Sequence, residues 1–384
     1  MLNEKVFFDG GNLTEDYNCS LNPPRIFTEK EIIGHDYYSA EKRKWQSAPC
    51  ITKAYGQLFC CFTGDNHGGD EQPNNYNVIL RSKDGKNFET VMVIDHFDSV
   101  RMHEPIIWTD AEGQLWHFWA QSYEWWDGRG GVWAIKISVE GDEITYTEPK
   151  RLCHGVMATP PITLKNGKTM LPVSIWKPWQ DRIHKYPENG EASVYLCDGD
   201  MENCTYVGGA SAKTSTFDEN TIAELEDGRL FMTIRCEKTI DCSYSYDSGK
   251  TWSEPQKLMD HTSSRSYLGK LPSGNLILVT NNDAKERINM TAFISKDGGA
   301  TFEPRLLLEP RSICSYPAGF IDGNGRVYVA FDRNRYVEEE VYYSTFTEDD
   351  LEKGEIVTEG SILKQMVCKG GNGKNTDKIF ESGL

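Results

Sequence analysis

Glu219 and Arg235 stand near the two ends of one stretch, "FDENTIAELEDGRLFMTIR", whose middle is typical of a β-hairpin. A Gly-containing turn, "EDGR", separates two apolar, β-rich runs. A carboxylate can take a proton from a reacting group, and a guanidinium can bind an anionic one. The pair is therefore either a solvated hairpin edge or two parts of an active site, with the second interpretation favoured by the other hairpins.

A tyrosine precedes a second such hairpin, "SYPAGFIDGNGRVYVAF", at Tyr316. Tyrosine is a weak nucleophile at its ordinary pKa of about 10, so it needs a base beside it. Glu219 could accept the phenolic proton, and we predict that both side chains lie within hydrogen-bonding reach in one cleft with Arg235 and Arg287. The polar loop "GGDEQPNN" contains two neighbouring carboxyl groups, Asp70 and Glu71, and either could donate a proton.

Six repeats of a turn with Gly followed by an apolar strand must position these residues. They are "AYGQLFCCF", "AEGQLWHFW", "KNGKTMLPV", "EDGRLFMTI", "PSGNLILVT" and "GNGRVYVAF", with marker glycines Gly56, Gly113, Gly167, Gly228, Gly274 and Gly325. Units of about 50 residues rich in short strands are typical of β-propeller blades. Amphipathic helical periodicity is missing apart from short stretches such as "EDDLEKG". The sequence predicts an all-β, six-bladed β-propeller formed by one domain, residues 1–384.

Equivalent positions of the six repeats are polar. Nine residues before the glycines stand Ser47, Glu104, Ala158, Glu219, Arg265 and Tyr316; seven residues after them stand Thr63, Ala120, Ser174, Arg235, Asn281 and Asp332. A propeller places equivalent strand ends around a central funnel, so these side chains should converge. Converging polar groups favour a carbohydrate site over solvated strand edges.

Polar hairpin tips form a second repeat: "SYDSGKTW", "SKDGGATF" and the shorter "SKDGKNF". They resemble the Asp-box of the sialidase superfamily, and the resemblance extends from about Trp45 to about Phe346. It implies a Tyr nucleophile partnered by a Glu, an Asp acid/base and three arginines that hold a carboxylate. Tyr316 and Glu219 resemble the first pair.

The arginines and the acid are carried over in the same way. Arg235 resembles the second arginine of the superfamily, Arg287 the third, and Asp70 the acid/base. The first arginine belongs to an Arg-Ile-Pro element, where this sequence has "SAP", so Ser47 occupies its place. Arg265 lies elsewhere in the ring as a further substrate-binding candidate.

Other candidates surround the predicted funnel. His103 and Glu104, in "HEP", could bind a sugar or form a structural hydrogen-bonded pair. Aromatic loops after the second and third repeats could stack on sugar faces or pack in the core; their tryptophans are Trp125, Trp126, Trp176 and Trp179. The ring is expected to close by pairing N- and C-terminal strands, with "KVFF" beside "VYYSTF" or "GSILKQMV".

Composition limits the partners. The net charge of −17 and the lack of basic runs argue against a nucleic-acid binder. No signal peptide and no membrane span are visible, so we expect a cytoplasmic protein, and an oligomer is possible. The eleven cysteines include no CxxC pair, which predicts reduced thiols, no metal and no cofactor.

These observations favour an exo-acting glycoside hydrolase that cleaves a terminal, acidic sugar from an oligosaccharide or glycoside. Two alternatives remain on the same fold. One is a lyase for glycans containing uronic acid, with Tyr316 and His103 as acid and base. The other is a propeller that binds carbohydrate without catalysis.

Overall fold

A computed structural model describes residues 22–32, 36–68, 73–96, 100–123, 131–176 and 191–371. Six antiparallel sheets of four or five strands form a six-bladed β-propeller, as predicted. Inner strands of neighbouring blades contact one another, as β2 (Trp45–Ala54) does with β6 (Val100–Thr109) and β23 (Cys314–Ile321). These inner strands therefore surround the central axis.

Each blade consists of strands that are consecutive in sequence. Blade one contains β1 (Arg25–Thr28), β2, β3 (Gln57–Asp65), β4 (Tyr76–Ser82) and β5 (Glu89–Asp95); blade two contains β6, β7 (Leu115–Tyr123), β8 (Gly131–Glu140), β9 (Glu143–Tyr146) and β10 (Lys150–Cys153); blade three contains β11 (Ile162–Thr163), β12 (Thr169–Ile175), β13 (Glu191–Cys197) and β14 (Cys204–Ala210).

The second half of the ring is more regular, with four strands in each sheet. Blade four contains β15 (Ser215–Glu224), β16 (Leu230–Cys236), β17 (Thr239–Ser245) and β18 (Gln256–Asp260); blade five contains β19 (Tyr267–Lys270), β20 (Leu276–Asn281), β21 (Met290–Ser295) and β22 (Glu303–Glu309); blade six contains β23, β24 (Val327–Arg333), β25 (Glu340–Phe346) and β26 (Ile362–Lys369).

Helices are few and short in the described residues: α1 (Glu29–Ile32), α2 (Glu348–Lys353) and two 3₁₀ turns at Asp36–Tyr38 and Ala40–Lys42. The predicted helical stretch "EDDLEKG" forms α2. Thr347 and Asp350 cap its first turn reciprocally, and Gly354 ends it in the left-handed conformation. No described helix has the length and apolar character needed to cross a membrane.

All six marker glycines have positive φ, between 73° and 89°. In five hairpins the glycine N–H donates to the carbonyl three residues earlier, as from Gly228 to Leu225 at 3.1 Å. The first hairpin is shorter: Tyr55 and Gly56 alone join β2 to β3, both with positive φ, as in a type I′ turn. We call this end of the blades the turn end.

The Asp-box tips also lie at the turn end, because Ser245 pairs with Leu230 beside the "EDGR" turn. Asp247 accepts hydrogen bonds from the N–H and the hydroxyl of Thr251 at 2.9 and 2.7 Å. Ser245 accepts one from Gly249 N–H at 2.8 Å. These side chains cap the turn backbone, which confirms the structural interpretation of the motif.

The blades pack through apolar side chains of facing sheets. One core cluster extends over blades one to three and includes Trp108, Trp119 and Trp133. Smaller clusters join blades five and six and blades four and five. The tight interior fixes the blades relative to one another, so the strand ends are held in one arrangement.

The closure of the ring by paired N- and C-terminal strands remains a prediction, because its N-terminal stretch is not among the described residues. "VYYSTF" forms most of β25 and "GSILKQMV" most of β26, both in blade six, whereas β1 is the edge strand of blade one. The stretch "KVFF" lies outside the described residues. Blades one and six meet through side chains, such as the Tyr343 hydroxyl, which donates to the Gly85 carbonyl at 2.6 Å.

The cysteines depart from prediction at one pair. Cys197 and Cys204 are directly opposite each other on β13 and β14 and form a disulfide. Eight other described cysteines are free, and seven of them are buried. The expectation of reduced thiols is therefore wrong for this cross-strand pair, because strand pairing brings together two residues whose spacing in sequence is uninformative.

Candidate active site

Bulges in four inner strands, β2, β6, β15 and β23, aim the candidate side chains into the funnel. The pairing register shifts after Ser315 in blade six and after His103 in blade two. The next residues, Tyr316 and Glu104, have φ of 56° and 51°, a region that side chains other than glycine seldom adopt. Backbone strain of this kind is concentrated at functional sites. We call this end of the blades, opposite the turn end, the funnel end.

The structure corrects the predicted ring by one residue in blade one. Ala48, with φ of 54°, is the residue equivalent to Glu104 and Tyr316, whereas Ser47 pairs with Thr63 before the bulge. Counting back from the marker glycine misplaces the position because the first hairpin has a two-residue turn. Ser47 is thus equivalent to His103 rather than to Glu104.

Tyr316 lies among guanidinium groups. The guanidinium carbons of Arg265 and Arg335 are each 4.1 Å from its ring centroid, and that of Arg287 is 5.1 Å away. Burial opposes ionisation of the phenol, but Arg287, Arg335, Arg235 and Arg265 together outweigh it and lower the pKa of Tyr316 below its ordinary value of 10.0. The four arginines thus make the phenolate, the reactive form of this side chain, easier to form.

Glu219 is held between two arginines. Its Oε2 lies 2.8 Å from Arg235 Nη1, and its Oε1 lies 2.9 Å from Arg265 Nη2. Burial raises the pKa of Glu219, but these two cations outweigh burial and lower it below the ordinary value of 4.5. Arg265 also pairs with Glu104. Among the described contacts Glu219 reaches Tyr316 through Arg265, and no hydrogen bond joins their side chains directly.

Arg235 and Arg287 meet at one carbonyl. The carbonyl oxygen of Ser263 accepts from Arg287 Nη2 at 2.8 Å and from Arg235 Nη2 at 3.3 Å. Burial lowers the pKa of Arg287, and the neighbouring Arg335 and Arg235 lower it further. Cations that repel one another in a buried place make a binding site for an anion.

A small pocket opens beside Tyr316, between blades one, two and six. Its lining includes Ser47, Ala48, Arg101, His103, Glu104, Tyr316 and Arg335. His103 is 2 % exposed and lies 3.3 Å from the Ser122 hydroxyl. Burial, Arg101 and Arg265 hold the pKa of His103 well below its ordinary value, so the imidazole is neutral at pH 7.

Asp332 connects blade six to blade one. Its Oδ2 accepts from the Ser47 hydroxyl at 2.6 Å and from Ala48 N–H at 3.2 Å. Its Oδ1 accepts from the Ser315 hydroxyl at 3.0 Å and lies 3.3 Å from Arg335 Nη2. Asp332 belongs to the second ring of polar positions, where the sequence predicted no role for it.

Two buried arginines of the pocket were missed altogether. Arg335 follows Asp332 by three residues in "DRNRY", and Arg101 precedes "HEP". Asp218 was also missed, although it adjoins Glu219. Burial raises its pKa to about 7, with Glu191 and Glu219 acting in the same direction against a hydrogen bond from Ser215. Only the proximity of these residues to ring positions could have indicated them.

Other predicted residues lie elsewhere. Trp176 is 3 % exposed, and its ring packs on Phe217 and His103 at 5.3 and 5.7 Å between ring centroids. It is therefore a wall of the site rather than an open platform. The remaining candidates lie outside the described residues: Asp70, Glu71, Trp125, Trp126 and Trp179. The described residues contain no group of three or more His, Cys, Asp or Glu suited to a metal ion.

Fold and site together define the class, a sialidase-like BNR propeller. The chain belongs to the BNR repeat-like domain family, whose model matches residues 56–329. No curated protein matches. The superfamily resemblance seen in the sequence is thereby confirmed at the level of the fold.

Solved structures share the propeller at low identity. The Hadza microbial sialidase Hz136 is 16 % identical, with a TM-score of 0.64 over 80 % of this chain and 66 % of that one. The intramolecular trans-sialidase from Ruminococcus gnavus, in complex with oseltamivir carboxylate, is 12 % identical, with a TM-score of 0.59 over 87 % and 99 %. A protein of unknown function from Dyadobacter fermentans is 16 % identical, with a TM-score of 0.61 over 77 % and 92 %.

Proposed function

We propose that the protein is an exo-acting glycoside hydrolase that cleaves a terminal, acidic sugar from an oligosaccharide or glycoside. The observation that carries the proposal is Tyr316, half-buried at a bulge with three guanidinium groups within 5.1 Å of its ring and a pKa below the ordinary one. A phenol that ionises easily is suited to attack a carbon. Tyrosine is the nucleophile used by sialidases instead of a carboxylate.

In the first step the Tyr316 oxygen would form a bond to the anomeric carbon as the bond to the leaving oxygen breaks. An acid from the loop around Asp70 or Glu71 would protonate that oxygen. In the second step water would attack the same carbon, the carboxylate would take its proton, and the Tyr316 oxygen would leave. Configuration is retained because the carbon is inverted twice.

Glu219 takes a different role from the predicted one. Both of its oxygens face arginines, and its lowered pKa makes it a weak base. We assign it to positioning: it holds Arg265 against the Tyr316 ring, and Arg235 beside Arg287. The phenolic proton would leave through the open pocket before attack.

A trapping experiment tests the proposal. Chromogenic glycosides of acidic and neutral monosaccharides would be screened, and the protein would be incubated with an activated, fluorinated analogue of the sugar it cleaves. We expect a covalent adduct at Tyr316 in peptide mass spectra and retained configuration by NMR. An adduct on a carboxylate, or inversion, would refute the Tyr mechanism.

One observation favours a lyase as the second candidate. His103, whose imidazole is neutral, lines the same pocket as Tyr316. Either side chain could take a proton from the carbon next to the carboxyl group of a uronic acid. Unsaturated products that absorb in the ultraviolet, formed from polyuronates without uptake of water, would identify that reaction. If the parent turns over neither class but binds glycans equally well after Tyr316→Phe, the protein is a carbohydrate-binding propeller.

A further inference from the structure

We propose that Cys368, near the end of the last strand of blade six, is a modification site at which a hydroperoxide converts the thiol to a sulfenic acid held by Arg43. Both residues lie at the junction of blades one and six, and neither lines the pocket beside Tyr316. The inference is therefore independent of the proposed hydrolase and goes beyond it.

Access to solvent is the first argument. Among the eight free cysteines that the structure describes, Cys368 is partly exposed and the other seven are buried. Its strand, β26, is the outermost strand of blade six. A dissolved oxidant reacts with a thiol that solvent reaches, so Cys368 is the first candidate for oxidation.

The cation beside the sulfur is the second argument. Arg43 Nη2 donates to Cys368 Sγ at 3.2 Å, although the two residues are 325 positions apart in sequence. The Arg43 side chain is 1 % exposed, and its guanidinium carbon lies 5.0 Å from the centroid of the Phe62 ring. A guanidinium that is buried and packed on a ring has little freedom to leave the sulfur.

The donors that Arg43 leaves unused are the third argument. Its Nε and Nη1 are buried and have no hydrogen-bond partner among the described residues. Buried donors without an acceptor are unfavourable, and they are rare in folded proteins. A sulfenic acid adds an oxygen to the sulfur that Arg43 already contacts, and this oxygen can accept a hydrogen bond from the guanidinium. Oxidation of Cys368 thus supplies an acceptor for these donors.

A buried carboxyl group lies on the same side of the strand. Glu339 is 0 % exposed, and neither of its carboxyl oxygens has a hydrogen-bond partner in the described part of the chain. The carboxyl group occupies the place where a side chain at Gly370 would lie. Cys368 precedes Gly370 by two residues, and such residues share one face of an extended chain. Glu339 is therefore placed to exchange a proton near the thiol.

The charge state of Glu339 suits that exchange. Burial raises its pKa to about 7, while the nearby cations Arg43, Lys369 and Lys44 oppose the rise. Near pH 7 the group is present in both its protonated and its ionised forms, so it can give a proton or take one.

The reaction is a two-electron oxidation with the hydroperoxide as its co-reactant. The Cys368 sulfur attacks one peroxide oxygen, and an S–O bond forms as the O–O bond breaks. The sulfur is oxidised, and the peroxide is reduced to water or an alcohol. The thiol proton ends on the leaving oxygen, and protonated Glu339 can relay it by giving its own proton and taking that of the thiol.

Trapping of the sulfenic acid in the full chain tests the proposal. The protein would be treated with hydrogen peroxide in the presence of dimedone, which labels sulfenic acids, and the labelled peptides would be quantified by mass spectrometry. We expect Cys368 to be labelled about tenfold or more faster than the other free cysteines. Cys368→Ser should lose this label. Labelling of Cys368 no faster than that of the buried cysteines would overturn the proposal.

Variants at Arg43 test the role of the guanidinium. Arg43→Gln should slow the labelling of Cys368 about tenfold, as expected for the loss of one hydrogen bond to a charged group. Arg43→Lys keeps the charge but loses the planar fork, so its rate should lie between the two. Lys364→Gln removes an exposed cation from the same strand and should be labelled at the parent's rate.

Buried Cys60 reports on folding in these variants. Should Arg43→Gln expose Cys60 to the label, the comparison of Arg43→Lys with the parent supplies the test instead. A parental rate in Arg43→Gln with Cys60 unlabelled, or in Arg43→Lys, would mean that exposure alone makes Cys368 react, and the assignment of Arg43 would fall.

Glu339→Gln tests the proton relay. Because the relay needs the protonated carboxyl group, the parent should be labelled faster than Glu339→Gln below pH 7, and the ratio of the two rates should fall towards one above it. Labelling rates between pH 5 and pH 9 measure this ratio, from which the ionisation of the thiol itself cancels. A ratio that does not change with pH would contradict the relay.

Discussion

Both ends of the blades contain residues with positive φ, but the types of residue differ. At the turn end, glycines such as Gly228 adopt positive φ, and Asp-box side chains cap every tip that carries one. At the funnel end, Ala48, Glu104, Asp218 and Tyr316 adopt positive φ although they carry a Cβ. Glycine thus occupies the marker position of every hairpin turn, although Tyr55 and Ser248 also have positive φ at the turn end, whereas these four funnel-end positions carry side chains that must be aimed.

The ion pairs at the two ends of the blades also differ, because those at the turn end are exposed and those at the funnel end are buried. Glu226 at the turn end pairs with Lys165 and Lys270 and remains 68 % exposed. Glu219, at the other end of the same hairpin, pairs with Arg235 and Arg265 and is 3 % exposed. Salt screens the first pairs and hardly affects the second, so only the funnel end keeps a strong field.

Tyr316→Phe should have the largest effect. Loss of the nucleophile should lower kcat by about 10³-fold or more, with stability close to the parent's because only a hydroxyl is removed. Steady-state kinetics on the best chromogenic glycoside measures the change. Tyr246→Phe, at a 74 % exposed position of the turn end, is the matched control and should be fully active. Similar activity of both variants would refute the assignment of Tyr316.

Glu219→Gln should be the most destabilising of the substitutions considered. It leaves Arg235 and Arg265 buried with a missing carboxylate, and breaking such a pair costs about 3–5 kcal/mol. Urea unfolding measures the loss. Glu226→Gln removes a carboxylate with two lysine partners from the same hairpin, and we expect no resolvable change there. Equal losses in the two variants would show that the ends of the hairpin do not differ.

Asp218 and Asp247 should give opposite pH dependences. The pKa of Asp218 in the folded protein is about 7, above the ordinary 3.8. The contribution of this carboxyl group to the free energy of unfolding is therefore fully present below pH 3.8 and is lost as pH rises through 7. Asp218→Asn should therefore stabilise the protein at pH 8, by on the order of a few kcal/mol at most, and leave it unchanged near pH 3.

For Asp247 the sign is reversed. Hydrogen bonds from Thr251 and Ser245 lower the pKa of Asp247. The contribution of its carboxylate to the free energy of unfolding is therefore present above the ordinary pKa of 3.8 and is lost as pH falls through the lowered pKa. Asp247→Asn should destabilise the protein at pH 8. Unfolding curves of both variants between pH 3 and pH 8 measure the effect. Parallel pH profiles for the two variants would contradict the assignment.

Substitutions at positions with positive φ should have the smallest effects on the free energy of unfolding. Gly228→Ala places a Cβ at φ of 87° in open space, and the conformation alone should cost about 1 kcal/mol. Ala48→Gly relieves strain in the folded chain but gives the unfolded chain more freedom, so we expect a change within about 0.5 kcal/mol. Thermal unfolding distinguishes the two. A loss for Ala48→Gly as large as that for Gly228→Ala would mean that Ala48 is unstrained.

The repeats made the fold predictable. The turns at the marker glycines and the Asp-box tips can be read from short stretches of sequence, because each turn is specified by the residues inside it. Counting from those glycines also located Glu219, Arg235, Arg265 and Tyr316 near the funnel end. The count failed in blade one, where the two-residue turn at Tyr55 and Gly56 shifts the equivalent position from Ser47 to Ala48.

The contacts within the site were not predictable in the same way. Asp332 meets Ser47 only because the ring closes blade six onto blade one, which brings together residues 285 positions apart in sequence. The same closure decides that Glu219 contacts Arg265 of the next blade, which in turn lies against Tyr316 of blade six.

The sequence by itself determined which residues turn, which form strands and which ionisable groups stand at strand ends. Turn residues and the alternation of apolar and polar residues in strands act over a few residues. The sequence of one blade is therefore enough to determine its turns and strands. The tertiary structure alone decided which charges pair and which pKa values shift, since those depend on burial and on neighbours from other blades. Six blades around one axis bring locally ordinary Glu, Arg and Tyr residues together in one arginine-rich pocket.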